Sequence, residues 1–67
     1  MNRVFENRVL RRQTQYVLGL QTQIHQSRLS LIERGLILPR EDEKKRLAKA
    51  FGIRVDDLFP TEVKSNE

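Results

Sequence analysis

The sequence predicts an all-α fold, a compact bundle of five short helices, and three observations support this prediction. Apolar residues recur at spacings of three and four, as they do along one face of a helix. Residues that start or stop helices, such as Thr14, Gly35 and Gly52, divide the chain into segments of helical length. No alternation of apolar and polar residues is long enough for a sheet, and the chain contains no internal repeat or low-complexity tract.

Length and composition limit what the chain can be. We expect one domain, residues 1–60, and a polar tail, residues 61–67; a domain of this size often needs a partner subunit. The absence of cysteine excludes a disulfide framework and a thiolate metal site. The chain also lacks the roughly 20 consecutive apolar residues of a membrane span and the apolar segment of a signal peptide. We therefore expect a cytoplasmic protein without membrane contact.

The net charge of +4 is unevenly distributed along the chain. Residues 1–35 carry six arginines and two glutamates, which gives +4, whereas residues 36–67 carry seven cations and seven acids. Positive charge concentrated in one half of a chain favours a polyanionic partner. A solvated basic surface without a partner is the alternative, and charge alone does not distinguish the two.

The first predicted helix covers residues 2 to about 12 and is only loosely amphipathic. Asn7 occupies a position where an apolar residue is expected. Arg11 and Arg12 follow at the carboxyl end, where cations offset the negative end of the helix dipole. The same side chains suit phosphate contacts, so both roles stay open.

The second predicted helix is short and begins after Thr14, a residue type that often caps helices. Gln15 takes its first position, and the unpaired backbone N–H groups of this end form an anion site. Val17 and Leu18 are expected to face inward, with Leu20 as a further candidate.

A short connection joins the second helix to the third. Thr22 and Gln23 make this connection, and Ile24 is its single apolar anchor. His25 then takes the N-cap position of a helix over residues 26–34. We favour capping or a phosphate contact for this histidine over a metal or catalytic role, because the chain offers no second His, no Cys and no acid at ligand spacing.

The third helix is the segment around which the rest of the chain is organised. Leu29 and Ile32 lie three apart, so they share a face and are expected to be buried. Gln26, Ser27 and Arg28 fill the first turn with short or forked hydrogen-bonding side chains, which suit the edges of DNA bases.

An apolar link and two further helices complete the chain. Leu36-Ile37-Leu38-Pro39 is expected to be extended, so some of its aliphatic side chains must pack on the core or on another subunit. The fourth helix is predicted over residues 41–51, with its charge run, which includes Glu43, as a solvated face, and the fifth over residues 55–59. The residues expected to be buried are Leu47, Ala48, Ala50 and Phe51 in the fourth helix and Val55, Leu58 and Phe59 in the fifth.

Two blocks of residues match a pattern found in one family. The first is Thr14-Gln15-x-x-Leu18-Gly19, then nine residues, then Leu29-Ser30-x-Ile32-Glu33-x-Gly35. The second combines Pro39 with Leu47-Ala48-x-Ala50-Phe51-Gly52-Ile53 and Asp56-Asp57-Leu58-Phe59. Together they resemble the helix-turn-helix domain of phage Cro and repressor proteins and their bacterial relatives, with a lambda-repressor-like fold, over about residues 4–59.

The resemblance implies that the third helix enters the major groove of DNA. The implied base contacts are Gln26, Ser27, Arg28 and Leu31. The phosphate contacts, expected from the resemblance and from the helix ends, are Thr14, Gln15, His25, Arg11, Arg12 and Arg40. The resemblance also implies an ion pair between Arg8 and Glu33, for which a surface acid beside Arg34 is the alternative.

The chain departs from the family pattern at several positions. Gly19 stands where the family has alanine, Thr22 where it has an apolar residue, and Gln23 where its turn holds a glycine. Asn7 and Gln13 replace core aliphatic residues. These departures concern the geometry of the turn and the packing under the first helix.

The resemblance and the charge distribution together predict a sequence-specific DNA-binding transcriptional regulator. Among regulators, we favour a repressor. It would bind a two-fold operator on double-stranded DNA as a homodimer. The alternative is an antitoxin-like protein-interaction module with secondary DNA binding. We do not expect an enzyme, because one His, no Cys and no glycine-rich phosphate loop leave little to build a catalytic pocket. No cofactor, metal or small-molecule ligand is predicted.

Overall fold

The computed structural model describes residues 2–60, and their fold is all-α, as predicted. The chain forms a bundle of five helices: α1 Val4–Leu10, α2 Gln15–Thr22, α3 Gln26–Glu33, α4 Glu41–Phe51 and α5 Val55–Leu58. No strand occurs within residues 2–60. The predicted tail lies outside the described residues. No helix in the described part of the chain is long and apolar enough to cross a membrane.

Helix α1 is shorter than predicted because both of its ends are fixed by other interactions. At its start, the Asn2 side chain accepts a hydrogen bond from Val4 N at 3.0 Å and donates one to Ile32 O at 2.9 Å. At its end, Arg12 adopts the left-handed conformation with φ 55°, which an L-residue cannot continue as a right-handed helix. Val4 is the fully buried residue of α1.

Helix α2 begins where the sequence predicts, but it faces the core with different residues. Thr14 Oγ1 accepts a hydrogen bond from Val17 N at 3.1 Å and caps the helix. Leu18 and Thr22, one turn apart, are buried, whereas Val17 and Leu20 are 39% and 64% exposed. The inward orientation predicted for Val17 and Leu20 is therefore wrong. Residues three to four apart share a helix face, and in α2 that face runs through Leu18 and Thr22.

The connection between α2 and α3 gives a physical reason for Gly19, Thr22 and Gln23, three of the five unusual residues noted in the sequence. Thr22 fills the apolar position because its hydroxyl donates to Leu18 O at 2.8 Å, which leaves no buried donor unpaired. Gln23 adopts φ 61° at the end of α2, a conformation that glycine adopts more easily. A Cβ on Gly19 would lie 2.7 Å from Ile24 O. The connection thus passes closer to α2 than an alanine at position 19 would allow without a shift.

Helix α3 packs against α2 and α1. Leu29 and Ile32 are fully buried, as predicted. The helix ends at Glu33, and Gly35 follows in the left-handed conformation with φ 74°. Leu36 N then donates to Leu31 O at 2.9 Å, a bond typical of glycine-terminated helices.

Helix α4 has the predicted bounds, and Gly52 ends it with φ 70°. One expectation about its charged face is wrong. Glu41 and Asp42 are exposed, but Glu43 is only 4% exposed, because its carboxylate has partners within the protein. Helix α5 ends at Leu58, one residue earlier than predicted.

The core lies between α3, α4 and the inner faces of the other helices. Its buried hydrophobic residues are Val4, Leu18, Ile24, Leu29, Ile32, Leu47, Ala48, Phe51 and Leu58. The side chains packed partly against this core are Ile37, Ala50, Ile53, Val55 and Phe59. Within the apolar link, only Ile37 packs inward; Leu36 and Leu38 are 62% and 88% exposed.

Candidate nucleic-acid interface

The start of α3 projects its first side chains into solvent. His25 is the N-cap: its Nδ1 accepts a hydrogen bond from Ser27 N at 3.1 Å, and it lies 2.8 Å from Ser27 Oγ. Because Nδ1 accepts from a backbone N–H, the neutral ring carries its proton on Nε2. Gln26 and Ser27 are exposed. The first turn of α3 is thus held by a side-chain cap and is open to a ligand.

The exposed face of α3 lies opposite Leu29 and Ile32. Ser27 and Leu31 are one turn apart on this face, and Leu31 is half-buried. Arg34 continues the same row and is exposed, with its Nε donating to Ser30 O at 3.4 Å. Arg34 is not among the DNA contacts predicted from the sequence, although its spacing of seven from Ser27 places it on this face.

Arg28 does not extend freely into solvent. Its Nε donates to Glu43 Oε2 at 2.6 Å and its Nη2 donates to Glu43 Oε1 at 2.9 Å, which forms a two-bond ion pair. The side chain of Arg28 is 34% exposed and that of Glu43 is 6% exposed. The predicted base contact of Arg28 therefore has to involve a guanidinium that already has a carboxylate partner.

Glu43 joins the start of α4 to the start of α3. Besides Arg28, it accepts a hydrogen bond from Arg40 N, the N-cap residue of α4, at 2.8 Å. The hydrogen bonds from Arg28 hold the pKa of Glu43 below its usual range, against the opposing effect of burial, and the bond from the Arg40 backbone adds to the lowering. The sequence does not reveal that Glu43 connects α4 to α3, because its position in α4 does not distinguish it from its exposed acidic neighbours.

The predicted ion pair between Arg8 and Glu33 is present. Arg8 Nε lies 2.7 Å from Glu33 Oε2, and Arg8 Nη2 lies 3.1 Å from Oε1. A third donor, Gln15 Nε2, reaches Glu33 Oε1 at 3.0 Å. Arg8 Nη1 also donates to Gln13 O at 2.8 Å. This network fixes the first residue of α2 against the last residue of α3.

The starts of α2 and α4 therefore lie at opposite ends of α3. Gln15 meets α3 at Glu33, and Arg40 meets it through Glu43 at Arg28. These two contact points on α3, Arg28 and Glu33, are five residues apart, which is about 7.5 Å along the helix axis. The starts of α2 and α4 are thus each tied to α3 by hydrogen bonds, one near its end and one in its first turn.

Arg11 contacts the protein instead of pointing away from it. Its guanidinium donates to Phe51 O at 2.8 Å and to Asn7 O at 3.0 Å, and it stacks over the Phe51 ring at 4.9 Å. Phe51 ends α4, whereas Arg40 stands at its start, an α4 length of about 16 Å away. We therefore leave Arg11 out of the candidate interface, because a carbonyl and an aromatic ring at the far end of α4 hold it.

The remaining predicted phosphate contacts are exposed. Thr14, His25, Arg12 and Arg40 are all exposed. Neither Arg12 nor Arg40 forms an ion pair with a carboxylate of residues 2–60. Arg12 lies two residues before the Thr14 cap of α2, and Arg40 is the N-cap residue of α4. Both guanidinium groups thus belong to segments that lead into helix starts.

The described residues contain no group of three or more His, Asp or Glu side chains that could hold a metal ion. Comparisons with protein-family models, with curated proteins and with solved structures find no match to this chain. The geometry of its own residues therefore carries the functional argument.

Proposed function

We propose that this protein is a sequence-specific DNA-binding transcriptional regulator of the Cro/repressor-type helix-turn-helix family, acting in the cytoplasm as a repressor. The observation that carries the proposal is the capped, solvent-exposed first turn of α3, flanked at either end of α3 by the starts of α2 and α4. In this proposal α3 lies in the major groove, and the protein acts by binding rather than by catalysis.

The exposed residues of α3 supply the chemistry for reading bases. Gln26 carries an amide that can bond adenine N6 and N7 together, and the Ser27 hydroxyl can donate or accept. Leu31 presents methyl groups to the C5-methyl of thymine. Arg28 adds a guanidinium suited to guanine. Each good two-bond contact discriminates against a wrong base by about 1–3 kcal/mol.

The helix starts on either side supply the phosphate contacts. Backbone N–H groups at the first turn of α2, after Thr14, can bind a DNA phosphate. The Gln15 amide is fixed beside these groups. Arg12 and Arg40 bring exposed positive charge to the same surface, and His25 can donate from Nε2. These contacts position the protein on DNA without reading sequence.

A second copy of the chain is the proposed partner on DNA. Leu36 and Leu38 expose aliphatic surface next to the end of α3, and burying such surface favours association. Two copies related by a two-fold axis would read half-sites about 34 Å apart, one turn of the duplex.

Selection of bound duplexes from a random pool tests the proposal. The expected result is enrichment of one two-fold motif, bound by two copies as judged from the mass of the complex. Gln26→Ala should weaken binding to the selected site by about 1–3 kcal/mol and relax preference at one base pair. Lys49→Ala, which removes an exposed cation near the far end of α4, is the control and should preserve the motif.

Two outcomes would contradict the proposal. Recovery of no motif, with binding equal on all duplexes, would remove the sequence-specific function. Stable co-purification with a different protein that blocks DNA binding would favour the antitoxin-like interaction module instead.

A further inference from the structure

We propose that Glu43 is a specificity-positioning residue: it holds the Arg28 guanidinium so that the outer edge of this group reads a guanine. This inference rests on the proposed function, because it assigns a base preference to one position of the DNA site. The observation behind it is a nearly buried carboxylate of α4 that bonds the exposed first turn of α3.

The pattern of donors decides which edge of Arg28 is left without a protein partner within residues 2–60. A guanidinium has five N–H hydrogens: one on Nε and two on each Nη. Glu43 takes the Nε hydrogen and one Nη2 hydrogen, which lie on the same side of the group. Both Nη1 hydrogens and the second Nη2 hydrogen remain, and within residues 2–60 Nη1 donates to no protein acceptor. The remaining edge is therefore a two-pronged donor.

The remaining edge matches guanine better than it matches the other bases. In the major groove guanine presents two acceptors, O6 and N7, whereas adenine has one acceptor beside a donor and cytosine presents a donor. A fork of two parallel N–H groups pairs with two adjacent acceptors. Because Glu43 occupies the Nε side, Arg28 retains one fork, and the direction of that fork is set by α4.

Glu43 is held in place independently of Arg28. Arg40 N donates to its Oε1 at 2.8 Å, and the carboxylate sits in the first turn of α4, where the helix dipole favours a negative charge. The carboxylate thus has a fixed position, and it orders the long Arg28 side chain before DNA arrives. Less side-chain entropy is then lost when Arg28 binds a base.

Relative affinities for four duplexes test this role. The duplexes share the selected site and differ only at the base pair whose preference disappears in Arg28→Ala. For the native protein we expect at least about fivefold tighter binding to guanine than to any other base. Glu43→Gln should reduce this ratio to about twofold or less, because a neutral amide holds the guanidinium weakly. Its oxygen can still accept from Arg40 N, so the start of α4 is preserved.

Two further variants separate positioning from folding. Arg28→Lys keeps the positive charge beside Glu43 but has no fork, so it should lose the guanine preference while the fold is retained. The double variant Arg28→Ala with Glu43→Gln should show the same preferences as Arg28→Ala alone, because Glu43 acts through Arg28. Circular dichroism confirms that each variant is folded.

Three results would overturn the inference. The first is an unchanged guanine ratio in Glu43→Gln. The second is a uniform gain in affinity of Glu43→Gln for all four duplexes, which would make Glu43 only an acid near phosphates. The third is an Arg28→Ala variant that loses no preference anywhere, which would make the ion pair purely structural. If the native protein selects no DNA motif at all, that result contradicts the proposed DNA-binding function itself, and it is thereby distinguished from the three results above, which contradict the positioning role of Glu43.

Discussion

Gly19 determines how closely α2 and α3 pack. A side chain at this position would meet a backbone oxygen, Ile24 O, at 2.7 Å and Leu29 Cδ1 at 3.6 Å. A flexible side chain could move aside, but the carbonyl belongs to the short turn that holds the start of α3. The presence of glycine thus has a steric reason that outweighs its poor helix propensity, about 1 kcal/mol below alanine.

We expect Gly19→Ala to lower the free energy of unfolding by about 1–3 kcal/mol, the usual effect of overpacking. Urea denaturation measures this change. Leu20→Ala is the matched control in the same helix, because Leu20 is 64% exposed, and it should change stability by less than about 0.5 kcal/mol. A Gly19→Ala variant as stable as the native protein would show that the turn can relax away from the added methyl group.

Helix α4 carries a nearly buried carboxylate, Glu43, whose protonation is expected to change stability. The pKa of Glu43 is lowered in the folded protein chiefly by its hydrogen bonds with Arg28, whereas a glutamate in an unfolded chain titrates near about 4.3. A depressed folded pKa stabilises the protein above the unfolded pKa, and that stabilisation disappears as pH falls through the folded pKa. The ion pair therefore contributes at neutral pH and is lost in acid.

The test compares the native protein with Glu43→Gln at pH 7 and at about pH 3 by urea denaturation. We expect the native protein to be the more stable of the two at pH 7 and this difference to shrink as pH falls below about 4.3. Arg46 is the main cause that lowers the pKa of Asp42, and this pair is present in both proteins, so its effect is common to both. A stability difference that stays constant over this range would show that Glu43 does not titrate as part of the pair.

The ends of the helices could be predicted because their signals are local. Thr14 and Gly52 mark the start of α2 and the end of α4 through hydrogen bonds and backbone conformations within a few residues. The inward face of α2 could not be predicted so well, because α2 is apolar on several sides. Val17, Leu18 and Leu20 lie on different sides of the helix, so the sequence does not show which of these sides packs against the core.

The partners of single charged residues were the hardest feature to predict. The Arg8–Glu33 pair followed from a family resemblance, not from spacing. Glu43 and its partner Arg28 are 15 positions apart and on different helices, and Arg11 binds the backbone oxygen of Phe51, 40 positions away. Every residue has a backbone carbonyl, so the sequence does not show which one accepts a hydrogen bond from a side chain. Only the packed structure identifies it.

The positive charge of the whole molecule divides into groups that hold the fold and groups that remain for a polyanion. Arg8 and Arg11 bond acceptors within the protein, whereas Arg28 bonds Glu43 with one edge and keeps its other edge for the proposed base contact. Arg12 and Arg40 are exposed and belong to the proposed interface. The net charge does not distinguish these two groups of arginines, because each of the five residues contributes one positive charge.

Arg40→Gln and Arg11→Gln remove the same charge and should act differently. For Arg40→Gln we expect the slope of log affinity against log salt concentration to flatten by about one unit, because one phosphate contact is lost. Arg11→Gln should leave this slope nearly unchanged and should lower the thermal unfolding midpoint instead, because it releases the end of α4. Equal slopes for the two variants would mean that Arg40 acts only through net charge.

The proposed DNA-binding surface is tested most directly by a titration of the isotope-labelled protein with the selected duplex, followed by backbone amide NMR. We expect the largest chemical-shift changes at residues 26–31, smaller changes at Thr14, Gln15 and Arg40, and little change near Phe51 at the far end of α4. If the changes instead cluster around Phe51 and α5 while residues 26–31 keep their shifts, α3 is not the reading helix.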